Sequence, residues 1–232
     1  MNVKYIFRLS FSFLLVMALL AVSYFFSSAG YEAAMAPDSK ARPTLILDPG
    51  HGGEDGGAVS VTGKKESGIN LEIALRCRDL ASFLGYSAVM TRESENIDYP
   101  PDLTSTRARK VWDQKSRVQL INSASDGLLI SIHQNKYTSP GPKGAQVFYN
   151  EGAEELAEAV QKSVLRYIHD DTKRTARPVS KDIYIMNEVS CPALLVECGF
   201  LSNPEEAARL ESQEHQKKLA LIIIGQVKAF YG

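Results

Sequence analysis

A chain of 232 residues with 44% hydrophobic content is long enough to bury one full-sized core, and its length does not demand a second domain. Its 26 basic and 27 acidic residues leave a formal charge of −1. Setting aside Lys4 and Arg8 makes the remainder more acidic still, which disfavours a nucleic-acid partner, since that would favour a basic face.

Lys4 and Arg8 precede an uncharged apolar run at 9–26, the pattern of an export signal. A cleaved signal usually has a shorter apolar region, whereas about twenty residues can span a bilayer, so cleavage and retention as an anchor both stay open. Ser27, Ser28 and Ala29 offer small residues for cleavage, and the basic end is expected to stay cytoplasmic. The expected division is a signal or uncleaved anchor at 1–28, a small polar linker with two prolines at 29–43, and a globular domain at 44–232 outside the membrane.

The domain opens with a continuous apolar, β-branched run at 44–47 that reads as a buried strand and ends at Asp48-Pro49-Gly50. His51 is thereby delivered into a loop whose glycines leave open space beside the imidazole. A polar turn around Gly63 leads to Glu66, placed just before a helix predicted at 67–84 with Ser67 as its N-cap. Ile69, Ile73, Cys77, Leu80 and Leu84 lie on one face of that helix, and Gly85 stops it. Near the positive end of the helix dipole Glu66 favours its ionised form and hence use as a ligand, with an ordinary first-turn acid as the alternative.

A strand is predicted at 87–91. The polar stretch 92–115, with the basic cluster Arg107, Arg109 and Lys110, reads as a solvated loop or helix, and 116–123 as a helix segment. LLISIH at 128–133 is a strand whose last residue is His133, with Leu129, Ser131 and His133 on one face. Then come a strand at 144–149 and a helix at 153–168 burying Leu156, Ala159, Val160, Val164 and Ile168, closed by His169. A charged loop at 170–181 precedes the last strand, 193–197, which ends in Glu197. Ser202 or Asn203 caps a helix at 202–210, and a helix at 217–230 closes the chain, with His215 expected on a solvent-exposed polar surface. Cys77, Cys191 and Cys198 lack the spacing of a zinc knuckle or disulfide scaffold and read as small buried side chains, with a Cys191 to Cys198 bridge left open.

Strands alternating with helices imply an α/β layer with a largely parallel sheet, whose functional groups collect beyond the carboxyl ends of the strands. His51, His133 and Glu197 all stand at such ends, and Glu66 falls on the same rim. Two imidazoles and a carboxylate form a set that holds a catalytic zinc with one position open for water, which suits hydrolysis of an amide. A further carboxylate must then move the proton from water to the leaving nitrogen, and Glu197 fits, because an acid ending an apolar run is costly to bury without a role. No HExxH pattern is present, and each histidine taken alone is open to a structural role. A phosphate-cradling loop is disfavoured, since no GK[ST] follows and Glu54 and Asp55 would repel phosphate.

LDPGHGGEDGGA, Glu66 with Asn70 four residues on, Arg117 leading into SIHQN, and LLVECGFLSNPEE occur in this order. Together they resemble the zinc-dependent N-acetylmuramoyl-L-alanine amidases of the amidase-3 type, over nearly all of 44–232. The resemblance implies a single α/β domain with a twisted, mainly parallel six-stranded sheet flanked by helices. It implies one zinc per chain on His51, Glu66 and His133, with Glu197 as catalytic acid/base, acting on the bond between the lactyl carbonyl of muramic acid and L-alanine in peptidoglycan. No wall-binding repeats flank the domain, and the short span between Gly152 and Cys191 leaves no room for an inhibitory helix. Within the family the chain most resembles the sporulation and germination-specific amidases, which prepare the spore cortex for muramic δ-lactam formation with a deacetylase.

That likeness implies an exported protein, anchored or secreted, with the intermembrane space of the forespore as a candidate location. Peptidoglycan is the expected partner, an activator lipoprotein is an open one, and membrane contact is expected only through the N-terminal segment of a monomer. Gln134 and Asn135 are read as groups that hydrogen-bond either the substrate or the metal's surroundings, with loop capping by Asn135 as the alternative, and 182–187 either as a wall of the peptide groove or as ordinary packing. The rival class is an exported module that holds wall glycan without cutting it.

Overall fold

The computed structural model describes Met17, residues 41–168 and residues 172–232. Apart from Met17, the export segment at 9–26 lies outside the described residues, as do the linker up to residue 40 and His169. Among those described, no helix is long and apolar enough to cross a membrane.

Strands β1 (Thr44–Pro49), β2 (Ala88–Met90), β3 (Gly127–Asn135), β4 (Gln146–Tyr149), β5 (Arg177–Pro178) and β6 (Ala193–Phe200) form one six-stranded sheet in the order β2-β1-β3-β6-β4-β5. Every neighbouring pair is parallel except β4 with β6, so the predicted mainly parallel α/β sheet is what the chain forms. Helices α1 (Glu66–Phe83), α3 (Glu154–Tyr167) and α6 (Gln213–Tyr231) cover one face, and α2 (Thr106–Asn122) and α4 (Tyr184–Glu188) the other. The short α5 (Pro204–Leu210) packs against β6 and α6.

Burial on both faces explains why the central strands are continuously apolar instead of alternating. Leu45, Leu47, Ile130, Ile132, Leu194 and Val196 point into the core beneath α1, α3 and α6, together with Ile69 and Ile73. Ile46, Leu129, Ala193 and Leu195 point the other way and meet Ile121 of α2 and Met186 of α4. The three cysteines are free and buried, so no bridge joins Cys191 to Cys198.

Several boundaries differ from the sequence expectation, each for a local reason. Asp48 and Pro49 extend β1, because Asp48 finds buried partners that let an acid continue an apolar strand. Helix α1 starts one residue early: Lys65 is its cap position with no side-chain hydrogen bond, Glu66 is its first residue, and Ser67 donates to Glu95 instead of capping. Ser105 caps α2, which runs far upstream of the expected segment and carries the whole basic cluster. His133 is followed by two more residues of β3, and Glu197 by three more of β6. The expected loop 170–181 contributes β5, paired with Phe148 and Tyr149. Asn203, not Ser202, caps α5 by accepting from the amides of Glu205 and Glu206. Ser212 starts α6 earlier than expected, which draws His215 into its first turn, where it is buried instead of exposed.

Candidate metal centre and active site

Immediately after β1 the backbone turns and His51 adopts φ 61°, a left-handed conformation uncommon for a residue with a Cβ. Two buried guanidinium groups hold it there. Arg117 donates through Nη2 to the His51 carbonyl at 2.7 Å and through Nη1 to that of Pro49 at 2.8 Å. Arg92 donates through Nε to Pro49 O and through Nη2 to Gly50 O, both at 3.0 Å. The result is an imidazole whose Nε2 lies 3.4 Å from Glu66 Oε1 while Nδ1 lies 3.1 Å from Asp55 Oδ2.

Glu66 is fixed from several directions. Its Oε2 accepts from the Ala58 amide at 2.9 Å, and its Oε1 accepts from the Gln134 amide at 3.0 Å and from Asn70 Nδ2 at 3.3 Å. His133 Nδ1 approaches the same Oε1 at 3.1 Å. Burial opposes ionisation of Glu66, but the hydrogen bonds with His133 and His51 outweigh it and hold the carboxyl well below the usual carboxylate range. Burial likewise opposes the charge on His51, and its hydrogen bonds to Asp55 and Glu66 overcome this to raise it to about 9. The absent side chain of Gly50 makes room for the His133 ring, which a Cβ there would overlap. At Gly57, with φ +65°, an added Cβ would come 2.6 Å from Glu66 Oε2 and 2.8 Å from His51 Cδ2.

One donor atom from each of His51, Glu66 and His133 lies within 4.8 Å of the others. Two ligands about 2.0–2.1 Å from a tetrahedral ion are separated by roughly 3.4 Å. The His51–Glu66 and His133–Glu66 separations of 3.4 Å and 3.1 Å match that edge, so the donor set fits a small divalent cation. In the parallel ladder Glu197 of β6 is the register partner of His133, so its side chain leaves the same face of the sheet. Its Oε2 is enclosed and has no hydrogen-bond partner among the described residues. Burial pushes its carboxyl up. A cavity of about 270 Å³ runs from the two histidines between α2 and the segment leading into α4.

The model of the family described as N-acetylmuramoyl-L-alanine amidase matches residues 45–229. The chain belongs to this amidase family. It is 39% identical over 191 residues to the germination-specific N-acetylmuramoyl-L-alanine amidase of Bacillus subtilis, covering 81% of this chain and 79% of that protein. The CwlD amidase from Clostridioides difficile, solved in complex with the GerS lipoprotein, superposes with a TM-score of 0.77 at 32% identity, over 81% of this chain and 98% of that one. The N-acetylmuramoyl-L-alanine amidase AmiC of Escherichia coli is 28% identical over 82% of this chain, which spans only 53% of that longer protein. The chain is therefore a peptidoglycan amidase with a candidate metal site of two histidines and a glutamate.

The structure of this amidase brings together all four residues singled out in the sequence, and adds others that periodicity could not reveal. Asp55 grips the ring nitrogen of His51 that faces away from Glu66, and Lys110 of α2 in turn reaches Asp55 at 2.8 Å. Hydrogen bonds from His51 and Lys110 hold the Asp55 carboxyl well below its ordinary range against the effect of burial. Gln134 is buried and donates to Asn70 Oδ1 at 3.1 Å, so of its two readings the metal-supporting one fits. Asn70 also donates to Gly50 O at 3.1 Å, joining α1 to the histidine loop. The segment 182–186 lines the cavity, although Met186 also packs in the core.

Proposed function

We propose that this amidase is a zinc enzyme of spore-cortex peptidoglycan, in which His51, Glu66 and His133 hold the ion and Glu197 moves the proton. The convergence of the three donor atoms within 4.8 Å, with both histidine–glutamate separations near a tetrahedral edge, carries this reading. Zinc bound there supplies a Lewis acid that polarises a carbonyl and lowers the pKa of water. The scissile amide joins the lactyl group of N-acetylmuramic acid to L-alanine. Glu197 accepts the proton of the attacking water and delivers it to the departing alanine nitrogen. Its enclosed position suits both halves of that task, since burial raises the carboxyl toward the working pH, so that it takes a proton from water more readily than an ordinary carboxylate and can still pass it on. Asp55 fixes the ring of His51 and keeps its metal-facing nitrogen directed at Glu66.

The identity to the germination-specific Bacillus subtilis protein supports the cortex role, in which peptide removal precedes δ-lactam formation by a deacetylase. The domain division remains that of the sequence: a signal or anchor at 1–28, a linker at 29–43 and the catalytic domain at 44–232, acting outside the cytoplasm in the space around the forespore. A lipoprotein activator belongs to the same reading, supported by the complex in which the Clostridioides difficile relative was solved.

The test incubates the purified chain with defined muropeptides, with and without a chelator, and analyses the products by mass spectrometry. Intact sugar with a newly freed alanyl amine, abolished by chelator and restored by zinc, is the expected result. Glycan cleavage, cuts within the peptide, or full activity in chelator would reject the proposal.

A further inference from the structure

The cavity beside the histidines has two unlike walls. One is the polar side of α2, where Lys110 and Gln114 stand one helical turn apart on the same face. The other is the start of α4, where Ile183 and Tyr184 keep 40% and 37% of their surface exposed. A partly apolar ridge facing a cationic, amide-bearing helix suits an extended peptide that carries small apolar side chains and a carboxylate.

Apart from the two histidines of the candidate metal site, the basic side chains lining this cavity among the described residues are Arg117 and Lys110. Arg117 is committed: it donates to both oxygens of Asp113, to Asp48, and to the carbonyls of Pro49 and His51. Lys110 is not. Its ammonium has three donors, and the one partner it holds is Asp55 Oδ2 at 2.8 Å, with about half of its side chain in solvent. The cavity's acids are also accounted for on this side, since Asp48 and Asp113 are bound by Arg117, and Asp55 by His51 and Lys110. Asp182 lies at the opposite wall, where it is exposed and accepts from Ser180. An anion in the cleft is therefore attracted to α2 and repelled from the α4 side.

In peptidoglycan the second residue of the stem is a D-glutamate joined through its side-chain carboxyl, which leaves its α-carboxyl either free or amidated. We infer, on the amidase reading given above, that the cleft between α2 and α4 receives the stem peptide and that Lys110 reads the free α-carboxylate of its second residue. With the lactyl carbonyl and the alanine nitrogen at the metal centre, the next residue of the stem is the first position able to present a charge to the cleft. Lys110 thus sets preference between the carboxylate and carboxamide forms of the substrate.

The experiment compares N-acetylmuramoyl-L-alanyl-D-isoglutamate with the corresponding D-isoglutamine compound, using zinc-loaded wild type, Lys110→Met and Lys110→Arg. A charge-assisted contact at a half-exposed site predicts a wild-type preference for the free acid of about tenfold in kcat/KM, expressed in KM. Lys110→Met brings the ratio to about one and Lys110→Arg restores most of it. An unaltered ratio in Lys110→Met, or equal use of both substrates by wild type, overturns the assignment. So does a Lys110→Met variant that loses zinc affinity and slows on both substrates equally, since Lys110 would then act only through Asp55. Calorimetric binding of the free dipeptides L-Ala-D-isoglutamate and L-Ala-D-isoglutamine to the same variants separates the two proposals. If wild type cleaves neither muropeptide yet the dipeptides show the Lys110-dependent preference, the amidase reading fails and the cleft assignment stands; no preference in binding sinks the assignment by itself.

Discussion

Replacing Gly50 by alanine isolates the metal centre from the stability of the fold. Gly50 is not in the left-handed region, so its backbone accepts an alanine, and the change should even restrict the unfolded chain slightly. The new methyl, however, would lie 2.7 Å from His133 Cδ2, with Nε2 and Cε1 closer still, whereas ordinary carbon contacts begin near 3.4 Å. The ring must therefore swing away by the better part of an ångström or more, which carries Nδ1 out of its place beside Glu66. Removing groups that merely orient a ligand costs about 10–100-fold in metal affinity, so displacing a ligand itself should cost at least about 100-fold. The assay is zinc affinity by competition with a chromophoric chelator, alongside urea unfolding of the metal-free protein. Gly225→Ala serves as control, because nothing lies within 4 Å of a Cβ at that helical position. Wild-type zinc affinity in Gly50→Ala would show that His133 is not a ligand, and a collapse of metal-free stability would show that the packing argument misjudged the loop.

Glu197→Gln should retain zinc within about twofold and lose roughly 10²–10⁴ in turnover, read from muropeptide hydrolysis and metal titration of the same sample. Comparable turnover would remove Glu197 from the chemistry. Asp55→Asn leaves the zinc donors in place but weakens the hold on His51, so zinc should bind about 10–100-fold more weakly; equal affinity would assign Asp55 to Lys110 alone. Asp48 gives a pH signature: burial opposes its charge, but Arg117 and the Thr91 and Ser131 hydroxyls hold its carboxyl at about 2 against an ordinary 3.8. Because the folded value is the lower one, its stabilisation is complete above pH 3.8 and lost as pH falls toward 2, on the order of 2 kcal/mol in all. Urea midpoints measured from pH 6 downward should show this loss in wild type, and an Asp48→Asn protein with the same acid slope would refute it.

The parts of the site that were legible in the sequence are those where chemistry interrupts a hydrophobic pattern. His133 and Glu197 stand out because they follow the apolar runs of β3 and β6, and register then makes them neighbours. Glu66 stands out because a helix begins at it. The strand ends were misjudged for the same reason: polarity was taken to stop a strand, whereas parallel pairing continues through His133 and Glu197 for as long as backbone partners exist. The orienting groups were illegible. Asp55, Arg92 and Lys110 sit in polar stretches where nothing distinguishes a committed side chain from a solvated one until the partner is seen beside it, four residues away for Asp55 and dozens for Arg92 and Lys110. Buried His215 shows the converse failure, since a helix cap three residues upstream decided its environment and hydropathy did not.

The three segments that carry the candidate metal donors need a common frame, and the backbone carbonyls after β1 provide it. Pro49, Gly50 and His51 present three successive carbonyl oxygens, all taken by guanidinium groups that are themselves buried. Arg92 does more than hold the loop: through Nη2 it also donates to Ser67 O at 2.8 Å, the residue next to Glu66. Asn70 repeats the link from within α1 by donating to Gly50 O and Glu66 Oε1, and Gln134 beside His133 closes the ring by donating to Asn70. A left-handed histidine persists only where its surroundings over-determine it, and here the chain neighbour of each candidate donor is tied to that of another. The strain at His51 is thus stabilised by the same bonds that set the distances between the candidate donors, which makes their arrangement a property of the backbone and not of three independent rotamers.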